Sequence, residues 1–546
     1  MTLSFGGDKL FNMRSKFVIL STIMLVGSLL LSIYLDHNWY VLFGIVVILT
    51  VMGYADMIQT RHTIKRLYPV FGRLRYLMEE LRPKMYQYFI ESDINGRPFN
   101  RVDRSTVYQR AKGVRDTIPF GTQLDVYKEG YEWISHSISP KHFNTLDHDP
   151  RIMVGNKDCL HPYSASILNI SAMSFGSLSG NAVEALNWGA KLGNFAHNTG
   201  EGGISDHHLR HGGDLIWQIG TGYFGCRDKE GNFDAELYEQ KAKMDAVKMI
   251  ELKISQGAKP GHGGILPASK NSEEIAKIRH ILPHTIVESP PHHSSFDTPL
   301  GMVKFIKKLR DLSGGKPVGF KLCIGMKSEF ISICQAMIQL DTYPDYIAVD
   351  GGEGGTGAAP PEFTNYVGAP LLDGLAFVQN ILVGMGIREH IKLFASGKIT
   401  SAFHIARVFA LGADACYQAR ANKLALGCIQ ALLCNTNRCP TGITTQDPKL
   451  TIGLVPKDKK DRVLGYHQKT LKNFVELIGA AGLTDPKQIT REHIYRRVSL
   501  NKMMTYEEIF PSIPKGALLK GEIPEKYIPD FSYADINRWG MPSKIA

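Results

Sequence analysis

The segment DYIAVDGGEGGTGAAP, residues 345–360, joins a short apolar run to a loop dominated by glycine. A continuous apolar run without alternation is typical of a parallel strand that is buried on both faces. Glycine after such a strand allows backbone conformations that other residues avoid. The segment therefore predicts one strand of a parallel sheet, with a loop at its carboxyl end where the backbone can approach a ligand closely.

Seven other runs of the same kind occur in the chain. They are ILNISAM (167–173), FAHNT (195–199), IWQIGT (216–221), KMIELKI (248–254), VGFKLCI (318–324), IKLFAS (391–396) and DACYQA (414–419). Segments with helical spacing, such as NAVEALNWGAKLG and FISICQAMIQL, separate most of them. Eight strands with crossovers predict an α/β fold, the (β/α)8 or TIM barrel. A doubly wound open sheet is the alternative, although it normally has fewer strands.

Gly352, Gly354 and Gly357 spell GxGxxG directly after the quoted strand. A dinucleotide-binding fingerprint requires a helix to begin at these glycines. Pro360 and Pro361 follow at once and disfavour that helix. We therefore reject a Rossmann fold for this segment.

The loops at the carboxyl ends of the predicted strands are rich in glycine and polar residues. They include SFGS (174–177), NTGEGG (198–203), SQGAKPGHGG (255–264) and SGK (396–398). Active sites of such barrels lie at this end, and the last strands commonly bind phosphate. We expect a cofactor with a phosphate group there, although tight turns alone would also favour glycine.

Three lysines, Lys253, Lys259 and Lys321, come from strand ends or from the loops that follow. A buried ammonium group beside an anionic ring or a carboxylate stabilises developing negative charge. Each lysine could equally form a salt bridge within the barrel. The pattern makes them candidates for the active site without assigning a reaction.

Three of the eight cysteines, Cys428, Cys434 and Cys439, lie within twelve residues of one another. The chain contains no CxxC, whereas zinc sites usually have CxxC pairs and four ligands. Three thiolates in one loop fit an iron–sulfur cluster better, with three irons or with four irons and one non-cysteine ligand. Three buried small apolar residues are the alternative, which the polar run NTNR disfavours.

Two segments near the N-terminus, residues 17–35 and 39–55, are apolar and contain no charged residue. At about 1.5 Å per residue, each is roughly long enough to cross a hydrocarbon layer of ~30 Å. The short linker DHN predicts a tight transmembrane hairpin. A cleaved signal peptide is the alternative for the first segment, but no small-residue cleavage site follows it.

Basic residues flank the hairpin on both sides, namely Lys9, Arg14 and Lys16 before it and Arg61, Lys65 and Arg66 after it. Because the linker has no Lys or Arg, we expect both flanks in the cytoplasm. Residues 61–84 hold seven Lys or Arg and two Glu, which indicates contact with anionic headgroups or a solvated helix face. Either interpretation makes a nucleic-acid partner unnecessary, despite the net charge of +11.

We predict four parts in the 546 residues. They are a transmembrane hairpin (1–60), a helical and irregular connecting region (61–165) with helices near 68–92 and 103–114, a barrel with the cysteine loop (166–450), and a C-terminal helical tail (451–546). A hydrophobic fraction of 44% and a charged fraction of 21% exclude disorder for most of the chain.

Several segments, in this order, resemble the synthase domain of glutamate synthase. They are ISAMSFGSLS (170–179), NTGEGG (198–203), ELKISQGAKPG (251–261), SPPHH (289–293), GGTGAAP (354–360), the cysteine segment ending in NTNRCPTGITTQ, and RVLGYHQKTLKNFVELIGAAGL (462–483). The layout is similar to that of shorter FMN-binding proteins of this family that begin with a membrane hairpin. No segment resembles the amidotransferase domain or an NADPH-binding module of the full enzyme.

The resemblance implies FMN in the barrel, a [3Fe–4S] cluster beside it, and 2-oxoglutarate as the 2-oxo acid substrate. Ammonia would condense with the oxo acid to an imine, and reduced FMN would supply the hydride that yields glutamate. Electrons would come from ferredoxin or from a membrane donor. The barrel would lie on the cytoplasmic side of a bacterial inner membrane, with the hairpin in the lipid bilayer.

The motifs of the family also imply roles for individual residues. Those expected in catalysis are Lys321, Lys259 and Gln256. Those expected to line or hold FMN are Met173, Ser174, Gln218, Lys321, Gly352, Gly397 and Lys398. Those expected to hold the oxo acid are Gly200, Lys259 and Arg279, and those expected to bind the cluster are Cys428, Cys434 and Cys439.

Three positions depart from the pattern of the family. Ile204 stands where a glutamate often follows NTGEGG, and His262 and Ile265 replace a carboxylate and an amide in the loop PGHGGILP. A pocket built on hydrogen bonds discriminates strongly when it loses them. A second interpretation therefore keeps the cofactors and changes the substrate to another small acid, with electrons passed to quinones. A third, a membrane scaffold or electron relay, is disfavoured because a relay needs no carboxylate clamp.

Overall fold

A computed structural model describes residues 12–114 and 117–540. The described residues form two compact units, which divide after Arg101. Lys9, which contributes to the predicted orientation of the hairpin, lies outside the described residues.

The first unit is helical. Its helices are α1 (Met13–Tyr34), α2 (Trp39–Ile58), α3 (Thr63–Leu67) and α4 (Gly72–Met85), and a π-helical turn (Tyr86–Ile90) continues α4. Helices α1 and α2 are long and apolar enough to cross a membrane by length and composition. They pack against each other as an antiparallel pair with small residues between them, since a Cβ on Gly53 would lie 2.0 Å from the ring of Phe17.

Most of the apolar surface of this helical pair is exposed. In the most apolar 18-residue stretch of each helix, only 17% of the residues of α1 and 22% of those of α2 are buried. A helix in the core of a water-soluble domain would be buried on a much larger face. The pair is therefore not buried in the way expected of a core helix.

In the second unit, the residues that the structure describes form fifteen strands and most of the helices. The strands are β1 (Glu132–Ile134), β2 (Arg151–Val154), β3 (Tyr163–Ser166), β4 (Leu168–Ile170), β5 (His197–Asn198), β6 (Leu215–Ile219), β7 (Val247–Lys253), β8 (Ile265–Leu266), β9 (Val287–Glu288), β10 (Val318–Leu322), β11 (Tyr346–Asp350), β12 (Lys392–Ser396), β13 (Ala415–Gln418), β14 (Ile494–Ser499) and β15 (Lys502–Thr505).

Helix α5 precedes the strands, and the other α-helices lie between strands or in the tail. They are α5 (Arg101–Lys112), α6 (Gly180–Gly193), α7 (Asp206–Leu209), α8 (Ala235–Ala242), α9 (Glu273–Arg279), α10 (Pro299–Leu312), α11 (Lys327–Leu340), α12 (Pro361–Tyr366), α13 (Leu371–Gly384), α14 (Ala402–Ala410), α15 (Arg420–Leu426), α16 (Pro448–Thr451), α17 (Pro456–Ala480), α18 (Tyr506–Ile509) and α19 (Ile528–Tyr533). The 3₁₀ helices are Phe143–Thr145, Ala268–Lys270, Arg388–His390, Pro486–Gln488, Arg491–His493, Leu518–Lys520 and Glu525–Tyr527.

Eight parallel strands close into a barrel in the order β4, β5, β6, β7, β10, β11, β12, β13 and back to β4. Each of the eight apolar runs in the sequence provides one of these strands, so the predicted (β/α)8 barrel is confirmed and the open sheet is excluded. Strand β11 is buried along its whole length, as expected for a strand enclosed by side chains inside and helices outside. Neighbouring strands pack tightly, since a Cβ on Gly319 would lie 2.4 Å from the ring of Tyr346.

The loop after β11 corrects one detail of the sequence analysis. A helix does begin after the glycines, at Pro361, although the prolines were expected to disfavour one. Proline is tolerated there because the first residue of a helix needs no N–H donor. Helix α12 has only six residues, and the strand before it belongs to a closed barrel, so the rejection of a Rossmann fold stands.

The predicted helical tail contains strands as well. Its main helix, α17, packs against α6 on the outside of the barrel. Strands β14 and β15 then form an antiparallel sheet with β1, in which Glu132 lies opposite Arg496. Glu132 also accepts a hydrogen bond from Tyr506 at 2.8 Å, so a buried carboxylate holds the tail to the start of the unit.

Candidate functional site

Parallel pairing brings the carboxyl ends of the barrel strands to one rim, where most of the predicted site residues lie. In the register, Lys321 of β10 is opposite Lys253 of β7, and Gln218 of β6 is opposite Glu251 of β7. Asp350 is the last residue of β11. The rim therefore combines lysines and carboxylates from adjacent strands.

Lys321 forms a buried ion pair at this rim. Its Nζ lies 3.2 Å from Oδ2 of Asp350, and both side chains are 7% exposed. The same oxygen accepts a hydrogen bond from the N–H of Gly257 at 2.8 Å. Burial alone would lower the pKa of Lys321, but Asp350 and Glu251 together raise it above its ordinary value. Lys321 is therefore a permanent positive charge at neutral pH.

Glu251 is fully buried beside this ion pair. Its Oε1 accepts hydrogen bonds from Nδ2 of Asn198 at 2.8 Å and from Nε2 of Gln218 at 2.7 Å. Burial raises the pKa of Glu251 despite its attraction to Lys321. Gln218, which the sequence predicts as a flavin contact, therefore uses its amide donor to hold this carboxyl group.

A second set of charges, the Glu201 cluster, consists of Glu201, Lys253, Lys259 and Arg279. Oε1 of Glu201 lies 2.8 Å from Nζ of Lys253, and its Oε2 has no hydrogen-bond partner among the described residues. Burial would raise the pKa of Glu201, but the three cations outweigh burial and lower it below its ordinary value. With three cations and one anion, the cluster carries a net charge of +2 when all four groups are ionised.

Two cations of the cluster are bound to backbone carbonyl groups rather than to acids. Nζ of Lys259 donates to the carbonyl of Ala358 at 2.7 Å, and Nη2 of Arg279 donates to the carbonyl of Phe175 at 3.0 Å. Nε of Arg279 has no partner in the described part of the chain. Burial lowers the pKa of Lys259 to about 8 and that of Arg279 to about 10. Their charges are thus available to an anionic ligand.

Glycine is required where the loops of the rim approach one another. A Cβ on Gly257 would lie 1.7 Å from the carbonyl oxygen of Gly351, so the loops after β7 and β11 touch through their backbones. A Cβ on Gly220 or Gly264 would lie 2.5 or 2.4 Å from a carboxylate oxygen of Glu201. These contacts enclose the carboxylate and leave no room for other side chains.

The predicted contacts of the flavin and of the oxo acid meet in the loops after β4 and β5. Met173 is buried, and a Cβ on Gly200 would lie 2.7 Å from the backbone nitrogen of Ser174. Gln256 is half-buried in the loop after β7, and its carbonyl accepts the N–H of Lys259 at 3.4 Å. The structure therefore brings these residues to the same rim as the Glu201 cluster.

The predicted phosphate residues lie near the start of α13. Gly397 and Lys398 follow β12 with φ of +152° and +46°, and a left-handed lysine is uncommon outside functional loops. A Cβ on Gly397 would lie 3.3 Å from Cβ of Leu371, the first residue of α13. Glu353, next to Gly352, accepts the N–H of Leu371 at 3.0 Å. Gly352 and Gly397 thus lie near the N-terminus of α13, an end of a helix that favours anions and that here already donates to the carboxylate of Glu353.

The three cysteines lie in the loop that follows α15. Burial raises the pKa of Cys428, and the thiols of Cys434 and Cys439 raise it further. Burial would also raise the pKa of Cys439, but hydrogen bonds from Thr441 and Thr444 lower it to about 7. In the part of the chain that the structure describes, no group of three His, Cys, Asp or Glu side chains is arranged to hold a metal ion. The cluster therefore stays a prediction.

The cysteine loop is held against the SFGS loop by two long side chains. Nζ of Lys270, which is 2% exposed, donates to the carbonyl groups of Ser177 at 2.7 Å and Cys434 at 3.3 Å. Nε2 of Gln446 donates to the carbonyl of Leu178 at 2.8 Å. The loop of the predicted cluster ligands therefore packs directly on a loop predicted to line the flavin.

Two of the three departures from the family pattern lie in apolar surroundings. Ile204 is buried in the main hydrophobic core, and the ring of His262 packs edge-on against Phe363 at 5.2 Å between centroids. Ile265 lies opposite Glu288 in the ribbon formed by β8 and β9.

Three acidic residues of the rim were missed in the sequence. Glu201 lies in NTGEGG, which we interpreted only for its glycines, and Glu251 and Asp350 lie within apolar strands. A carboxylate in a buried strand requires a hydrogen-bonded or cationic partner. Because lysines had already been predicted at the same rim, this requirement could have identified the three acidic residues as their partners.

Comparisons with known proteins agree with these features. A family model described as the conserved region in glutamate synthase matches residues 122–484. The glutamate synthase large subunit-like protein YerD of Bacillus subtilis is 37% identical over 481 residues, covering 81% of this chain and 91% of its own length. The archaeal-type glutamate synthase [NADPH] of Thermotoga maritima is 34% identical over 316 residues, which cover 57% of this chain and 59% of that relative.

Among solved structures, the flavin-binding domain of baker's yeast flavocytochrome b2 has 12% sequence identity and a TM-score of 0.41. That match covers 83% of this chain and 91% of the other. The archaeal glutamate synthase [NADPH] of Methanocaldococcus jannaschii is 33% identical, and the match covers 62% of its length. This chain thus spans about three fifths of the archaeal-type relatives and most of the relative from Bacillus subtilis.

Proposed function

The chain belongs to the glutamate synthase family, and we propose that it is an FMN-dependent oxidoreductase that reductively aminates a 2-oxo acid, with 2-oxoglutarate as substrate. The observation that carries this proposal is the net charge of +2 in the Glu201 cluster. Uncompensated buried charge is unfavourable, so a dianion would stabilise the cluster. The two carboxylates of 2-oxoglutarate supply that dianion.

The residues of the rim fit FMN in their chemistry. Gly352, Gly397 and Lys398 would hold its phosphate near the start of α13, where Gly397 and Lys398 both have positive φ. Met173, Ser174, Gln218 and Lys321 would line the ring. FMN, when bound, supplies the hydride that reduces the substrate. Lys321 keeps its proton at neutral pH and offers a positive charge to an anionic ring.

The chain itself binds the acid and controls protons. Arg279 and Lys259 would hold the carboxylates, beside Gly200, while Lys253 neutralises Glu201. The oxo acid and ammonia lose water to form an imine, whose carbon takes a hydride and whose nitrogen takes a proton. Lys259 Nζ, with a pKa of about 8, can hold and exchange such a proton near neutral pH, and Gln256 lies in the same loop.

Binding of the acid is expected to weaken at alkaline pH. Burial lowers the pKa of Lys259 from 10.5 to about 8, so the ammonium form dominates below pH 8 and is lost above it. The dissociation constant for 2-oxoglutarate should then rise above pH 8 by up to about tenfold per pH unit. Calorimetric titration of the oxidised enzyme without ammonia measures this directly. In the variant Lys259→Arg the positive charge persists above pH 8, so the dissociation constant should no longer rise there. If it rises as steeply as in the unchanged protein, Lys259 is not the group responsible.

A [3Fe–4S] cluster is part of the proposal, with Cys428, Cys434 and Cys439 as ligands. The hydrogen bonds that lower the pKa of Cys439 fit a thiolate ligand, and ferredoxin or a membrane donor would deliver electrons. Anaerobic purification followed by flavin, iron and sulfide analysis tests both cofactors. Protein with FMN but without iron after anaerobic reconstitution would remove the cluster from the proposal.

We also propose that α1 and α2 anchor the chain in a bacterial cytoplasmic membrane, with the barrel on the cytoplasmic side. Their length and their exposed apolar surface support this. Arg14 and Lys16 lie in the first turn of α1, and Arg61 follows α2, so that all three would face the cytoplasm. Retention in the membrane fraction after a carbonate wash is the expected result, and release into the wash would contradict the anchor.

A second candidate keeps the cofactors and changes the acid. It is favoured by the burial of Ile204 in the core, where the family often has a glutamate. Binding of 2-oxobutyrate, which has one carboxylate, separates the candidates. The +2 cluster predicts that it binds at least about tenfold more weakly than 2-oxoglutarate, and equal affinity would favour the second candidate.

A further inference from the structure

Helix α4 and the π-helical turn after it expose an apolar face. Phe71, Leu74, Met78 and Met85 are 73%, 56%, 50% and 48% exposed, and Phe89 in the turn is 77% exposed. Steps of three, four and seven residues place the first four on one side of a helix. A contiguous apolar face of this kind is not expected to remain in water.

Charged residues border this face in an ordered way. Leu77, which is 49% exposed, extends this face on one side. At about 100° per residue, Lys84 flanks the edge beside Leu77, and Arg75 and Arg82 flank the other edge. Glu79 and Glu80 lie beyond these cations, more than about 100° from the middle of the face. Arg82 and Lys84 are exposed and make no ion pair with any residue that the structure describes. Cations at the borders and acids beyond them are typical of helices that lie at an anionic membrane surface.

The start of α4 is fixed to the end of the second apolar helix. Nη2 of Arg73 lies 2.8 Å from Oδ1 of Asp56, and Oδ2 of Asp56 accepts the N–H of Val70 at 3.1 Å. Asp56 is in the last turn of α2 and is 2% exposed. If α2 spans the bilayer, this ion pair holds the start of α4 at the level of the lipid headgroups.

We propose that α4 and the turn Tyr86–Ile90 form an interfacial helix that lies in the plane of an anionic membrane. The apolar face enters the boundary between headgroups and acyl chains, and Arg82 and Lys84 bind lipid phosphate groups. The proposal rests on the membrane anchor proposed above and adds a lipid contact outside the spanning segments. The paired Arg73 has a structural role, in holding the helix to α2.

Photochemical crosslinking of the full chain tests this helix. A photoreactive p-benzoylphenylalanine replaces Met78 on the apolar face, Glu79 outside that face as matched control, or Ile23 in α1, which is 64% exposed. Each protein is reconstituted in nanodiscs of phosphatidylcholine alone or with phosphatidylglycerol, and adducts are identified by mass spectrometry. We expect lipid adducts at positions 23 and 78 but few at 79, with those at 78 enhanced by phosphatidylglycerol.

A charge variant tests the role of the cations. Arg82→Gln together with Lys84→Gln should lower the adduct yield at position 78 in anionic nanodiscs by about fivefold per charge removed. The control Glu79→Gln with Glu80→Gln should not lower it. Equal yields at 78 and 79, or adducts of 78 with protein instead of lipid, would overturn the interfacial helix while adducts at 23 sustain the anchor. Absence of lipid adducts at 23 would overturn both.

Discussion

Replacement of Lys321 by methionine is expected to lower the free energy of unfolding of the barrel by about 3–5 kcal/mol. Methionine keeps most of the volume but removes the cation that lies 3.2 Å from Asp350. The carboxylate would be left buried without its ionic partner. Glu251, whose pKa burial already raises, would lose an attraction that favours its ionised form. The midpoint of urea unfolding at neutral pH measures the loss.

The double variant Lys321→Met with Asp350→Asn is the matched control. Asparagine retains an oxygen that can accept the N–H of Gly257, which donates to Asp350 at 2.8 Å. Because the buried negative charge is gone, the double variant should be more stable than Lys321→Met alone. In the double-mutant cycle, the two substitutions should deviate from additivity by about 1–3 kcal/mol. A double variant that is as unstable as the single one would show that the ion pair does not account for the loss.

Arg279→Leu should abolish tight binding of 2-oxoglutarate while leaving the barrel stable. Loss of a buried charge partner for a carboxylate costs about 2–5 kcal/mol, so the dissociation constant should rise by a factor of about 30 to several thousand. Arg279 donates to a backbone carbonyl and burial lowers its pKa, so a leucine there removes an unfavourable desolvation. Unfolding free energy should be unchanged or higher by about 1 kcal/mol.

Arg227 provides the matched control for this variant. Both guanidinium groups stack on the ring of Phe224, Arg279 at 5.1 Å and Arg227 at 5.7 Å from its centroid. Arg279 is among the cations that lower the pKa of Glu201, whereas Arg227 donates to the carbonyl of Gly222. Arg227→Leu should therefore leave the dissociation constant unchanged. A large rise in both variants would indicate a general disturbance of the loop instead of a carboxylate site.

The barrel could be predicted because its strands are buried on both faces. Each strand then appears in the sequence as a continuous apolar run, as Tyr346–Asp350 does. The strands of the tail could not be predicted in this way, because β14 is only partly buried and its partner is remote. Arg496 and Glu132, which join them, are 364 residues apart. Local periodicity contains no information about such a pairing.

The site was predicted in part for a similar reason. Lys321 and Lys259 could be selected because they lie at the end of a strand and in the loop after one, at the active end of a barrel. Their partners could not be, since the carbonyl of Ala358 and the carboxylate of Asp350 reach them only through the closure of the barrel. The +2 charge of the Glu201 cluster is a property of the folded chain, because Glu201, in the loop after β5, meets Lys253, at the end of β7, only when the barrel closes.

A single-turnover experiment tests the proposed reaction most directly. The full chain is reduced with dithionite under anaerobic conditions, excess reductant is removed, and 2-oxoglutarate and ammonium are added while the flavin absorbance is followed. The proposal predicts that the flavin is reoxidised and that glutamate appears in equimolar amount, and only when both substrates are present. A flavin that stays reduced, or that is reoxidised without formation of an amino acid, would contradict it.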